Sequence, residues 1–98
     1  MPRPRFCRRV HAKPSYTYFK PRGIPLNKLD ESILSVDEFE AVRLKDLNGL
    51  EQEDAAKKMN ISQPTFHRLI ISARKKIADA IVNGKAIRIE GGNFVLQH

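Results

Sequence analysis

One cysteine in 98 residues, Cys7, leaves no partner for an internal disulfide and suits a reducing compartment. No apolar run approaches the ~18 residues of a membrane span, and Met1 to Lys13 carries no apolar stretch of the kind a secretion signal needs. The expectation is a cytoplasmic protein with no membrane contact. A catalytic set is also missing. Cys7 and His11 lie four apart, but no CxxC or HxxH pattern completes a zinc site. His67 and His98 join no obvious carboxylate or nucleophile, and Gly91-Gly92 opens no helix, so it is not a phosphate loop. Neither catalysis nor a metal or cofactor is expected. A chain this short also has room for only a small core, which pairing of two copies would supplement.

Carboxylates are absent from residues 1–28, which hold eight cations: Arg3, Arg5, Arg8, Arg9, Lys13, Lys20, Arg22 and Lys28. Residues 29–56 reverse the sign, with nine carboxylates against Arg43 and Lys45, and residues 57–98 return to eight cations against Asp79 and Glu90. The formal net charge is +7. A basic start, an acidic middle and a basic second half suit a molecule that turns one side toward a polyanion.

The stretch Asn48 to Val82 carries the strongest pattern. Glu51 to Met59 is helical in composition, with Ala55-Ala56 at its middle, and Asn60 tolerates the left-handed conformation of a sharp turn. Ser62 can cap a second helix, and Pro64 fits a first turn where its missing donor costs nothing. At 100° per residue, Phe66, Leu69, Ile70, Ala73, Ile77, Ala80 and Ile81 fall on one arc, the expected buried face. Pro64, Arg68, Ile71, Ser72 and Lys75 fall opposite, with His67, Arg74 and Lys76 on the shoulders. Two helices, a short turn and a basic outer face form a helix-turn-helix pattern suited to a DNA major groove. A solvated amphipathic helix with lysines for solubility would show much of the same spacing.

Elsewhere, prolines at 2, 4, 14, 21 and 25 forbid a long helix before residue 26. Arg3, Arg5, Arg8 and Arg9 resemble an arm able to follow a DNA backbone or enter a minor groove, or a merely soluble tail. Tyr16, Tyr18 and Phe19 suggest a short strand or an apolar lid over the helices. Ile24 to Leu34 reads as a connector with a helical turn near Leu26 to Leu29. Ser35-Val36-Asp37-Glu38 is a capping box, predicting a helix from Val36 to about Leu47 with Val36, Phe39, Val42 and Leu47 inward. Arg43 shares that arc, so it either pairs with Glu53 or Asp54 or extends its tip to solvent. Asn83-Gly84 should stop the long helix. Gly91-Gly92 between Ala86–Glu90 and Asn93–Gln97 predicts a β-hairpin with Ile89 opposite Phe94 and Ile87 opposite Leu96.

Taken in order, Met1-Pro2-Arg3-Pro4-Arg5, Cys7-Arg8-Arg9-Val10, Gly23-Ile24-Pro25-Leu26, Val36-Asp37-Glu38-Phe39-Glu40-Ala41, Ser62-Gln63-Pro64-Thr65-Phe66 and Arg88-Ile89-Glu90-Gly91-Gly92-Asn93 resemble the small prokaryotic proteins of the UPF0251 or DUF134 family. The resemblance covers nearly the whole chain. It implies a DNA-binding protein whose helix-turn-helix is similar to region 4 of bacterial sigma factors. Asn60 stands where glycine is common, and His67 occupies a variable position.

The expected architecture is therefore mainly α. A basic proline-rich arm and connector span residues 1–34, a helix-turn-helix domain spans 35–84, and a β-hairpin tail spans 85–98. The expected partner is double-stranded DNA, with Gln63, Pro64, His67, Arg68 and Ile71 reading bases. Arg3, Arg5, Arg8, Arg9, Ser62, Thr65, Ser72, Arg74 and Lys75 would hold the backbone. A homodimer is expected, because the core is small, the hairpin has an apolar side, and half-sites lie ~34 Å apart. The competing readings are a protein-interaction module, with RNA polymerase as a partner and Ile71 as its anchor, and an RNA-binding protein.

Overall fold

Local capping sets the helices. The structure, a computed structural model, describes residues 7–97. Helix α1, Val36–Val42, starts at the expected capping box: Ser35 Oγ accepts from the Glu38 N–H at 3.3 Å, and the Glu38 carboxylate accepts from the Ser35 N–H at 2.8 Å. The helix continues as a π-helical segment, Arg43–Leu47, in which the Asn48 N–H reaches five residues back to the Arg43 carbonyl. Helix α2, Gln52–Met59, ends at Asn60, which is left-handed at φ 58°. Two residues later Ser62 caps helix α3, Gln63–Asn83, by accepting from the Thr65 N–H, and Gly84 closes that helix at φ 66°.

The strands bring the two ends of the chain together. Strands β1 (Arg8–Val10), β2 (Tyr18–Phe19) and β3 (Glu31–Leu34) precede the helices, with a 3-10 turn at Leu26–Lys28; β4 (Ala86–Ile89) and β5 (Phe94–Leu96) follow them. β4 lies between β2, which is antiparallel to it, and β3, which is parallel. β5 pairs in parallel with β1, aligning Val10 with Leu96.

The expected hairpin is thus absent: β4 and β5 take separate partners on either side of Gly91-Gly92. Both glycines have positive φ, 74° and 101°, as a tight turn would require. The chain is caught before it can turn back. The Glu90 N–H donates to the Leu34 carbonyl at 3.1 Å, and the Gly91 carbonyl accepts at 2.9 Å from Val36, a first-turn donor that α1 cannot satisfy internally.

Leu44, Ala56, Met59, Phe66 and Ile70 form one core between α1, α2 and α3, while Val10, Leu34, Val36, Ala73 and Ile89 form a second beneath the strands. Three expectations about burial need correction. Leu47 is exposed and Leu44 is buried instead, because the wider π turn shifts the register. Ile81 is exposed while Ala80 beside it is buried, because Ile81 stands one 100° step away at the margin of the packed arc. Tyr16 and Phe19 are exposed, so they form no lid over the helices, although Tyr18–Phe19 is the expected short strand.

The side of α1 turned inward carries acids. Asp37, Glu38 and Glu40 are 2%, 3% and 0% exposed, and each has a cation. Arg8 reaches Asp37 at 2.7 Å, Lys76 reaches Glu38 at 2.7 Å, and Arg43 donates to both oxygens of Glu40 at 2.7 and 3.0 Å. Arg43 therefore pairs three residues back on its own helix, not with Glu53 or Asp54.

Candidate nucleic-acid interface

The turn at Asn60–Ser62, left-handed at Asn60, separates α2 from α3, with the small buried residues Ala55 and Ala56 at the packed side of α2. Beyond that turn, Gln63, Pro64, His67, Arg68 and Ile71 are all exposed on the first three turns of α3. Hydroxyls organise the helix start. Ser62 Oγ donates to Thr65 Oγ1 at 2.9 Å, and Arg68 donates to the same Thr65 oxygen at 3.3 Å.

β1 lies beside this helix start. Arg8, Ser62, Thr65, Arg68 and Asn93 line an open groove of about 340 Å³, and a smaller groove of about 220 Å³ continues past Arg68 to Ser72. The root of the arm is fixed twice to α1, through the Arg8–Asp37 pair and through the His11 N–H, which donates to Glu40 at 2.7 Å. The His11 ring and the Lys58 carbonyl lie 2.8 Å apart, adding a tie to α2.

The expected backbone contacts divide into two groups. Arg9, Ser62, Lys75 and Arg74 are exposed, and Thr65 is half-buried. No carboxylate among the described residues forms an ion pair with Arg9, Arg68 or Lys75. Arg74, by contrast, makes a two-pronged pair with Asp46 at 3.1 and 2.5 Å, which holds the Asp46 carboxyl below its ordinary range. Ser72 is turned inward and donates to Glu38 Oε2 at 2.6 Å. Arg8 spends its guanidinium on Asp37. Arg3 and Arg5 lie outside the described residues.

Glu38 joins these groups. Burial pushes its carboxyl up, but hydrogen bonds from Lys76, Ser72 and the Ser35 backbone outweigh burial and hold it below the usual carboxylate range. Sequence spacing placed Ser72 and Lys76 outward or on the shoulder of α3. The surplus of cations around an acidic middle segment was the available sign that some would be used internally.

Among the described residues, no group of three or more His, Cys, Asp or Glu side chains could hold a metal ion. None of the described helices is long and apolar enough to cross a membrane.

The fold and this surface define a small, mainly helical protein that binds segments near both chain ends into short sheets and exposes a helix start that carries Arg68 and no carboxylate. The chain belongs to the UPF0251 family, and the family model described as "Protein of unknown function DUF134" matches residues 1–97. It is 65% identical to a UPF0251 protein of Caldanaerobacter subterraneus subsp. tengcongensis, covering 96% of this chain and 80% of that protein. Identity to a UPF0251 protein of Thermoanaerobacter pseudethanolicus is 63%, with the same coverage. For a UPF0251 protein of Moorella thermoacetica it is 60%, over 98% of this chain and 64% of the relative. No solved structure gives a significant match.

Proposed function

We propose that this protein binds double-stranded DNA through α2, the Asn60–Ser62 turn and α3 acting as a helix-turn-helix of the sigma region 4 type, and that it regulates transcription. The supporting observation is the composition of one exposed surface. Gln63, Pro64, His67, Arg68 and Ile71 stand in the open on the first turns of α3 with no carboxylate among them. The groove shared by Arg8 and Arg68 puts the root of the basic arm next to that surface.

In this reading Arg68 pairs with a guanine edge, and Gln63 and His67 contact neighbouring edges. Ser62, Thr65, Lys75 and Arg9 take phosphates. Ser72 and Arg8 act one step back, Ser72 by orienting Glu38 and Arg8 by fixing where the arm leaves the body. Selection of bound duplexes from a random pool, followed by affinity measurements at several salt concentrations, tests the proposal. Enrichment of one motif with a falling log–log salt dependence is expected. A pool that stays random would overturn it.

A second reading rests on Ile71, a half-exposed apolar side chain within the same surface. It makes that surface a dock for a protein of the transcription machinery, such as RNA polymerase. Ile71→Ala would then abolish partner binding while leaving affinity for duplex DNA unchanged.

A further inference from the structure

The outward face of α3 changes character along its length. Its N-terminal half carries polar groups and Arg68, but towards the C-terminus Ala78 and Val82 continue that face, and Ile81 is exposed on its flank toward β2. Ile81 is 74% exposed and Val82 79% exposed. Phe19, 52% exposed on β2, joins Ile81, Pro21 and Ile87 around a shallow apolar pocket of about 320 Å³.

We infer that this C-terminal face of α3, with Phe19, is the surface through which two copies of the chain form a twofold dimer. Its apolar centre offers on the order of 400 Å² per copy, about half of what one side of a standard stable interface buries. Its edge supplies charge of both signs, for Asp79 and Lys85 lie 2.8 Å apart at the end of the helix, with exposed Lys20 nearby. A twofold interface brings the same patch to itself, so each patch must complement its own copy. With the axis near Val82, Asp79 of one copy faces Lys85 of the other, and Val82 meets its own equivalent. An edge of a single sign would repel its copy and call for an oppositely charged partner. Small Ala78 beside the contact allows the two helices to approach closely.

The placement leaves the other end of α3 free. From Arg68 to Ile81 the helix rises about 20 Å at 1.5 Å per residue. Two such helices related by an axis near Val82 can separate their Arg68 positions by up to about 40 Å, enough to span half-sites one DNA turn apart. The dimer itself does not depend on the DNA reading and is tested without DNA.

Sedimentation over a concentration series should show wild-type protein passing from the 11.2 kDa chain mass to twice that mass. Ile81→Lys with Val82→Glu should raise the dimer dissociation constant by about 100-fold or more without changing the circular dichroism spectrum, since both side chains are exposed. Ile71→Lys, on the same helix but outside the patch, should leave dimerisation unchanged. In a Cys7→Ser background, Val82→Cys should form a disulfide-linked dimer on mild oxidation. Wild-type protein that stays monomeric throughout, as it would if the patch served a different protein, overturns the inference. So does a double variant that dimerises as before.

Discussion

Ser72 Oγ donates to Glu38 Oε2 at 2.6 Å, joining the middle of α3 to the first turn of α1. With Lys76 at 2.7 Å on the other oxygen and the Ser35 N–H beside it, Glu38 is a buried carboxylate held by three donors, two from α3 and one from its own helix cap. Replacing it with Gln keeps the shape and removes the charge. Glu38→Gln should cost about 1.5 to 3 kcal/mol of unfolding free energy at neutral pH. The folded carboxyl titrates below its ordinary range, so this stability is fully present above the unfolded-state value and is lost as pH falls through the folded one. Denaturant unfolding of wild type and variant should therefore converge in acid. A gap that stays constant from neutral pH to strong acid would contradict the assignment.

Gly92 fits where a side chain cannot. A Cβ at that position would collide with the buried Asp37 carboxylate and stand 2.9 Å from Ser35 Cβ, at φ 101°. Gly91, at φ 74°, has open space around it. Gly92→Ala should therefore destabilise by roughly 3 kcal/mol and Gly91→Ala by about 1 kcal/mol. Thermal unfolding of the two variants side by side checks the order.

Arg68→Ala should reduce affinity for the preferred duplex by about 1 to 3 kcal/mol and relax preference at one base pair, with little loss on random sequence. Repeating the site selection with the variant checks this. An unchanged motif with uniformly weaker binding would make Arg68 a phosphate contact only.

Arg3, Arg5 and Arg9 replaced together by Ala should weaken binding to all duplexes alike and lower the log–log salt slope by up to about 3. Arg8 is left in place because its pair with Asp37 anchors β1. Titrations on specific and random duplexes at three salt concentrations separate this from a loss of sequence preference.

Elements encoded by a few neighbouring residues were legible in the sequence. Ser35 with Glu38, Asn60, Ser62 with Pro64, and Asn83 with Gly84 marked the helix ends, because a cap is a contact within four residues. The exposed positions of Pro64, His67, Arg68 and Ile71 followed from helical period. Contacts between distant segments were not legible. Glu31–Leu34 is four residues long and half polar, and its partner β4 lies more than fifty residues later. Gly91-Gly92 carried the φ signature of a hairpin, but that signature cannot reveal that Val36 and Leu34 will bind the chain first. The buried carboxylates of α1 went unseen for a related reason: Asp37 and Glu38 also fit the acidic first turn of a solvent-facing helix.

Each of the strands β1, β2 and β3 pairs only with β4 or β5, and this orders the birth of the molecule. Synthesis delivers the three early strands first, yet none has a backbone partner until residues 86–96 leave the ribosome. The helices, whose caps are local, can form and pack around Phe66 while the early strands wait. Every strand pairing must then close a long loop, a slow kind of step. A chain truncated just after Gly84 should accordingly hold its helices while residues 7–34 remain open to protease, and restoring residues 85–98 should protect both strand segments at once.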